Sequence, residues 1–229
     1  MRRDDALELT ARWRVLTGEL DKADVKLLAV SKYAPDEAVQ ILIDAGQRDF
    51  GESRAQNLRD RAMRWPDCAW HMIGPVQKNK AKYVGRHASM WHSCENLDTA
   101  QVVARYVKER SGEQADVLPV LIQVNIADVP GQHGIRPAAV PEFAAALMQI
   151  DGLQLAGLMC MAPKGGDAAQ AFQLLSGLRE RLLDGHGIES LELCMGMSGD
   201  YEAAIRQGST MVRLGSTLFG GWDLRNQDV

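Results

Sequence analysis

The chain has 229 residues, with 26 Lys plus Arg against 30 Asp plus Glu and a formal net charge of -4. That balance argues against nucleic acid or an anionic membrane surface as the main partner, and no apolar stretch is long enough to span a bilayer. The length suits a single domain over residues 1–229 with a sizeable core.

In chain order, residues 5–20 read as an amphipathic helix ahead of the first strand, 25–30. Residues 36–45 form a helix closed by Gly46, and 48–52 a short strand with its exit. A charged helix at 54–64 ends at Trp65-Pro66. Strands are expected at 70–74, 90–93, 117–124 and 153–159, with helices at 77–84, 97–110, 138–149 and 168–183 between and after them. Two short strands follow, one ending near Met195 and one carrying Arg213. About eight strands alternating with helices predict a parallel sheet, and so many units in this length suit a (β/α)₈ barrel with an extra amino-terminal helix better than an open sheet. Neither a Gly-x-Gly-x-x-Gly nor a Walker loop is present, which weighs against dinucleotides and nucleotides.

The amino terminus, Met1-Arg2-Arg3-Asp4-Asp5, lacks the apolar segment of a secretory signal, so the cytoplasm is the expected location. Cys68, Cys94, Cys160 and Cys194 show no Cys-x-x-Cys spacing, and the histidines none of metal-ligand type, so no metal site is expected. Cys160 and Cys194 read as reduced packing residues.

Lys32 stands at the carboxyl end of the apolar run Val25-Lys26-Leu27-Leu28-Ala29-Val30. Barrel enzymes keep their sites there, and burial would leave a nucleophilic amine fit to form a Schiff base with an aldehyde. Taken alone, it reads first as a solvated loop lysine, since a lysine is almost never fully buried without a partner; the far end of the chain favours the other reading. Far along the chain, Met195-Gly196-Met197-Ser198-Gly199-Asp200 and Ser209-Thr210-Met211-Val212-Arg213-Leu214-Gly215-Ser216-Thr217 each resemble a strand end that could cradle a phosphate. Ser198 is expected to cap a helix, and Gly215 lets backbone approach a ligand. Asp200 suits the helix dipole but would repel a phosphate unless turned away. Barrel closure would make the first and last strands neighbours, setting Lys32 beside Ser198, Arg213 and Ser216. Pyridoxal phosphate or a phosphorylated sugar aldehyde would fit that pairing.

The segments Ala29-Val30-Ser31-Lys32, Arg48-Asp49-Phe50-Gly51-Glu52, Trp70-His71-Met72-Ile73-Gly74-Pro75-Val76-Gln77-Lys78-Asn79-Lys80, Gly157-Leu158-Met159, Met195-Gly196-Met197-Ser198-Gly199-Asp200 and Gly208-Ser209-Thr210-Met211-Val212-Arg213-Leu214-Gly215 occur in order along nearly the whole chain. Together they resemble the pyridoxal phosphate homeostasis protein family. That resemblance implies a barrel similar to the amino-terminal domain of bacterial alanine racemase, with pyridoxal 5'-phosphate at its mouth. It makes Lys32 the Schiff-base lysine, gives the phosphate to Ser198 and the backbone at Gly215 and Ser216, and sets Arg213 near the pyridine nitrogen or the phosphate. The chain departs from the family pattern at Ser53-Arg54 and at Gln132-His133-Gly134. His71 reads either as a ring-stacking residue or as a packed, hydrogen-bonded core histidine.

The implied function is vitamin B6 homeostasis without substantial catalysis, with apo-enzymes that use the cofactor as recipients. An arginine beside the pyridine nitrogen weakens the ring as an electron sink. Racemisation also needs an acid/base on each face of the substrate carbon, which racemases draw from a further domain, and this chain is expected to carry none. A small amino-acid racemase is the alternative, and a class I aldolase acting on a phosphorylated sugar a third reading. Trp91 and Trp222 read as exposed and leave room for a small interface, so a monomer or weak homodimer is expected.

Overall fold

A computed structural model of the chain describes residues 3–111, 116–163 and 165–222. The elements alternate as the apolar pattern predicts. The helix α1 (Arg3–Lys22) precedes β1 (Lys26–Val30), α2 (Asp36–Ala45), β2 (Asp49–Glu52), α3 (Ala55–Arg64), β3 (Ala69–Met72), α4 (Ala81–His87), β4 (Met90–Cys94) and α5 (Leu97–Ser111). There follow β5 (Leu118–Val124), α6 (Val140–Leu147), β6 (Leu153–Cys160), α7 (Ala168–His186), β7 (Glu192–Cys194), α8 (Tyr201–Arg206), β8 (Met211–Leu214) and α9 (Ser216–Phe219).

The strands pair in parallel and in sequence order, and β1 pairs with β8 to close the barrel. The closing register sets Leu28 opposite Arg213 and Ala29 opposite Leu214. Side chains alternate along each strand, so Leu27 and Ala29 pack outward with the helices while Leu28 joins Leu121, Met159, Cys194 and Met211 in a separate cluster inside the barrel. The amino-terminal helix α1 lies against α2, β1 and α9. Its Arg12 donates from Nη1 to the Leu218 carbonyl at 2.8 Å, tying the start of the chain to the last short helix.

Trp91 is buried at 1 % exposure, contrary to its expected place on the surface. It lies on β4 in the layer between barrel and helices, where its indole N–H donates to the Ser93 hydroxyl at 2.9 Å. Trp222 is half-buried. Among the described residues no helix is long and apolar enough to cross a membrane, and no cluster of His, Cys, Asp or Glu is arranged to hold a metal ion.

Candidate functional site

Because β1 and β8 are neighbours, their carboxyl ends open side by side into a cavity of about 440 Å³. Lys32, Ser198, Arg213, Gly215 and Ser216 all line it, so the fold gathers into one place the residues singled out from two distant parts of the sequence. Ile73, Met161, Met197 and Phe219 give it apolar walls. A volume of that size, mostly apolar with a few convergent polar groups, is characteristic of small-molecule sites.

On one side, the loops after β7 and β8 are joined. The Ser198 hydroxyl accepts from the Thr217 backbone N–H at 3.2 Å, and the Thr217 hydroxyl donates to the Ser198 carbonyl at 3.4 Å. Ser198 is therefore not the helix cap expected of it; Asp200 takes that place before α8. The Asp200 carboxylate accepts from the Met197 N–H at 2.6 Å, which turns it back onto its own loop. Gly196 makes this loop possible: its φ is +97°, and a Cβ there would lie 2.7 Å from that of Ala204. Gly215 has no such internal need, since a Cβ would meet Val30 only at ordinary contact distance, from 3.4 Å. Nothing lies within 4 Å of a Cβ placed at Gly199.

Lys32 lies on the turn that follows β1 and is exposed, with Nζ 5.1 Å from the centre of the Tyr33 ring. Of its two readings, the amine takes the solvated one. The strand stops at Val30, so the lysine sits past its end, where the barrel opens. Arg213, by contrast, is buried at 6 % exposure. Its Nη2 donates to the Cys160 carbonyl at 3.0 Å, while Nε is buried with no hydrogen-bond partner among the described residues.

Deeper in the barrel, His71 Nδ1 lies 2.8 Å from His92 Nε2, and His71 Nε2 lies 3.1 Å from Asp49 Oδ1. His71 is thus the packed, hydrogen-bonded histidine of its two readings. Complete burial pushes the His92 imidazole well below the ordinary histidine range, with His71 and Arg213 adding to the effect. Burial likewise raises the thiols of Cys160 to about 12 and Cys194 to about 11, which leaves both as inert packing groups.

Glu52 and Arg61, which lie behind the turn carrying Lys32, were not singled out from the sequence. Glu52 is fully buried at the end of β2 and pairs with Arg61 of α3 at 2.6 Å. Burial pushes its carboxyl up, and Arg61 and Ser31 draw it back. The signal available was the charge of Glu52 at a strand end, where a carboxylate stays buried only with a partner. His133 and Ser53, at the two departures from the family pattern, also line the cavity. His133 is exposed and held by Glu95 at 2.6 Å.

Residues 5–223 match the family model described as alanine racemase, N-terminal domain. The pyridoxal phosphate homeostasis protein of Corynebacterium glutamicum is 36 % identical over 206 residues, covering 87 % of this chain and 91 % of the relative. That of Escherichia coli strain K12 is 38 % identical over 212 residues, covering 87 % of each. Among solved structures, PipY of Synechococcus elongatus PCC7942 with PLP bound superposes with a TM-score of 0.80 at 31 % identity, over 93 % of this chain and all of that one.

Proposed function

The chain belongs to the pyridoxal phosphate homeostasis protein family, on the fold of the alanine racemase amino-terminal domain, and from that premise we propose that it holds pyridoxal 5'-phosphate as a Schiff base on Lys32 without substantial catalysis. The observation that carries this reading is the convergence of Lys32, Ser198, Arg213, Gly215 and Ser216 on one cavity.

The residues present fit such a group. A buried donor left unpaired costs about 1–3 kcal/mol, and the Arg213 Nε would be satisfied by an acceptor on the ligand. Ser198, Ser216 and the backbone at Gly215 offer hydroxyls and open backbone for a phosphate, and the apolar walls suit an aromatic ring. Lys32 supplies the amine: its nitrogen adds to the aldehyde carbon and water leaves, the amine protons departing with the aldehyde oxygen. A guanidinium is a poor proton donor, so a ring nitrogen facing Arg213 would stay unprotonated and the ring would be a weak electron sink.

On this reading the single barrel domain works in the cytoplasm in vitamin B6 homeostasis, as a monomer or weak homodimer. It keeps a reactive aldehyde masked and releases it to apo-enzymes that use the cofactor. The test is the absorption spectrum of the protein incubated with pyridoxal phosphate, before and after borohydride. A visible band that vanishes on reduction and is missing from Lys32→Ala is the expected result. An identical band in Lys32→Ala would overturn the reading.

A further inference from the structure

We propose that Arg61, held by Glu52, is a positioning residue that fixes the backbone turn carrying Lys32 for addition to the cofactor aldehyde with loss of water; the proposal rests on the role given to Lys32 above. Arg61 comes from α3 and does not line the cavity, yet its guanidinium reaches both sides of the lysine. Its Nη1 donates to the Ser31 carbonyl at 2.9 Å and to Glu52 Oε1 at 2.6 Å. Its Nη2 donates to the Ala34 carbonyl at 2.6 Å and reaches Asp36 Oδ1 at 3.4 Å. The Ser31 hydroxyl donates to the same Glu52 oxygen at 2.6 Å, and the Ala34 N–H closes the turn onto the Ser31 carbonyl at 2.8 Å.

The two bracketing residues are buried while Lys32 between them is exposed. The turn is thus pinned at both ends and presents only the lysine and Tyr33. A planar guanidinium fork can hold two carbonyls in fixed relation, which an ammonium on a flexible stem does not. Stability alone gives poor reason for the pair. Replacing a buried ion pair by uncharged residues is often neutral, and Glu52 Oε2 is left buried with no hydrogen-bond partner among the described residues. What the pair supplies is geometry. A reacting group displaced by about 1 Å loses about a hundredfold in rate.

The experiment uses the full chain with three changes: Arg61→Lys, Arg61→Ala and the double variant Arg61→Met with Glu52→Gln. The double variant leaves no unpaired buried charge and guards against a single variant that fails to fold. Three quantities are read. One is the rate at which timed borohydride quenching places the pyridoxyl group on Lys32, scored by peptide mapping against all other lysines. A second is affinity for pyridoxine 5'-phosphate, which lacks the aldehyde. The third is hydrogen exchange of the Ala34 amide. Slower Lys32 labelling by about tenfold or more, with pyridoxine 5'-phosphate affinity held within about twofold and Ala34 exchange accelerated, supports the proposal. Arg61→Lys should recover only part of the rate. Labelling at the wild-type rate in the double variant overturns it, as does a fall in affinity that parallels the fall in rate. Should wild-type protein carry no label on Lys32, the role of Lys32 fails. Ala34 exchange then judges the clamp by itself, acceleration in the double variant upholding it and an unchanged rate ending it.

Discussion

The Ser198 hydroxyl accepts a hydrogen bond from the Thr217 backbone N–H at 3.2 Å, which makes the loops after β7 and β8 one structural unit beside Lys32. If that unit receives the phosphate, Ser198→Ala removes a hydroxyl and loosens the neighbouring turn. A hydrogen bond to a charged group contributes about 1.5–3 kcal/mol, so affinity for pyridoxal 5'-phosphate should fall by about tenfold or more. Affinity for pyridoxal, which lacks the phosphate, should hardly change. Absorbance titrations with both ligands check this; equal losses for the two would remove Ser198 from the phosphate site.

Arg213 stands opposite Leu28 across the closing strand pair, buried and only partly hydrogen-bonded. Arg213→Gln keeps a donor toward the Cys160 carbonyl while removing the charge. Cofactor retention should weaken by about tenfold, with the barrel still folded by circular dichroism. Unchanged affinity would place Arg213 outside the site.

His92 sets a pH dependence of stability. Its folded value lies well below the usual range because of burial, then His71 and Arg213. As pH falls through about 6.5, the unfolded chain takes up a proton that the folded barrel refuses. Stability present at neutral pH is therefore lost on acidification, by about 1.4 kcal/mol per pH unit for one proton. His87, lowered by burial and nearby arginines, adds to the slope, and Glu52, raised by burial, opposes it. The informative quantity is the difference between wild type and His92→Gln in urea midpoint against pH. A shallower acid slope in the variant is expected; parallel curves would contradict the assignment.

If the bound cofactor is held and not used, incubation with L-alanine and pyridoxal phosphate should yield no D-alanine at ordinary enzymatic rates of about 1 per second or more. A chiral amino-acid assay over hours decides the matter. Turnover at that level would make the protein a racemase.

The barrel was legible because several parallel strands are short apolar runs, as in β5, and several helices carry a stop signal, such as Gly46 past α2. Closure followed from the number of units, and with it the meeting of Lys32 with Ser198 and Arg213. Finer features escaped for local reasons. Lys32 read either as a buried amine or as a solvated one, and it is exposed because β1 stops two residues before it, a distance that strand patterning does not resolve. Ser198 has the chemistry of a helix cap and is used across loops instead, because Asp200 takes the cap. Arg61 sits in the charged run of α3, where its sequence signature matches that of any solvated arginine. Only the fold shows that its side chain turns inward to meet Glu52. Trp91 gave no sign of its burial because the strand around it, Met90-Trp91-His92-Ser93-Cys94, mixes polar and apolar residues.

The most direct measurement is peptide mapping of the wild-type protein after incubation with stoichiometric pyridoxal 5'-phosphate and borohydride reduction. The pyridoxyl mass should fall on the peptide containing Lys32, and excess inorganic phosphate should slow its appearance. A label spread over surface lysines, with Lys32 unmodified, would contradict the assignment of this cavity as the cofactor's seat.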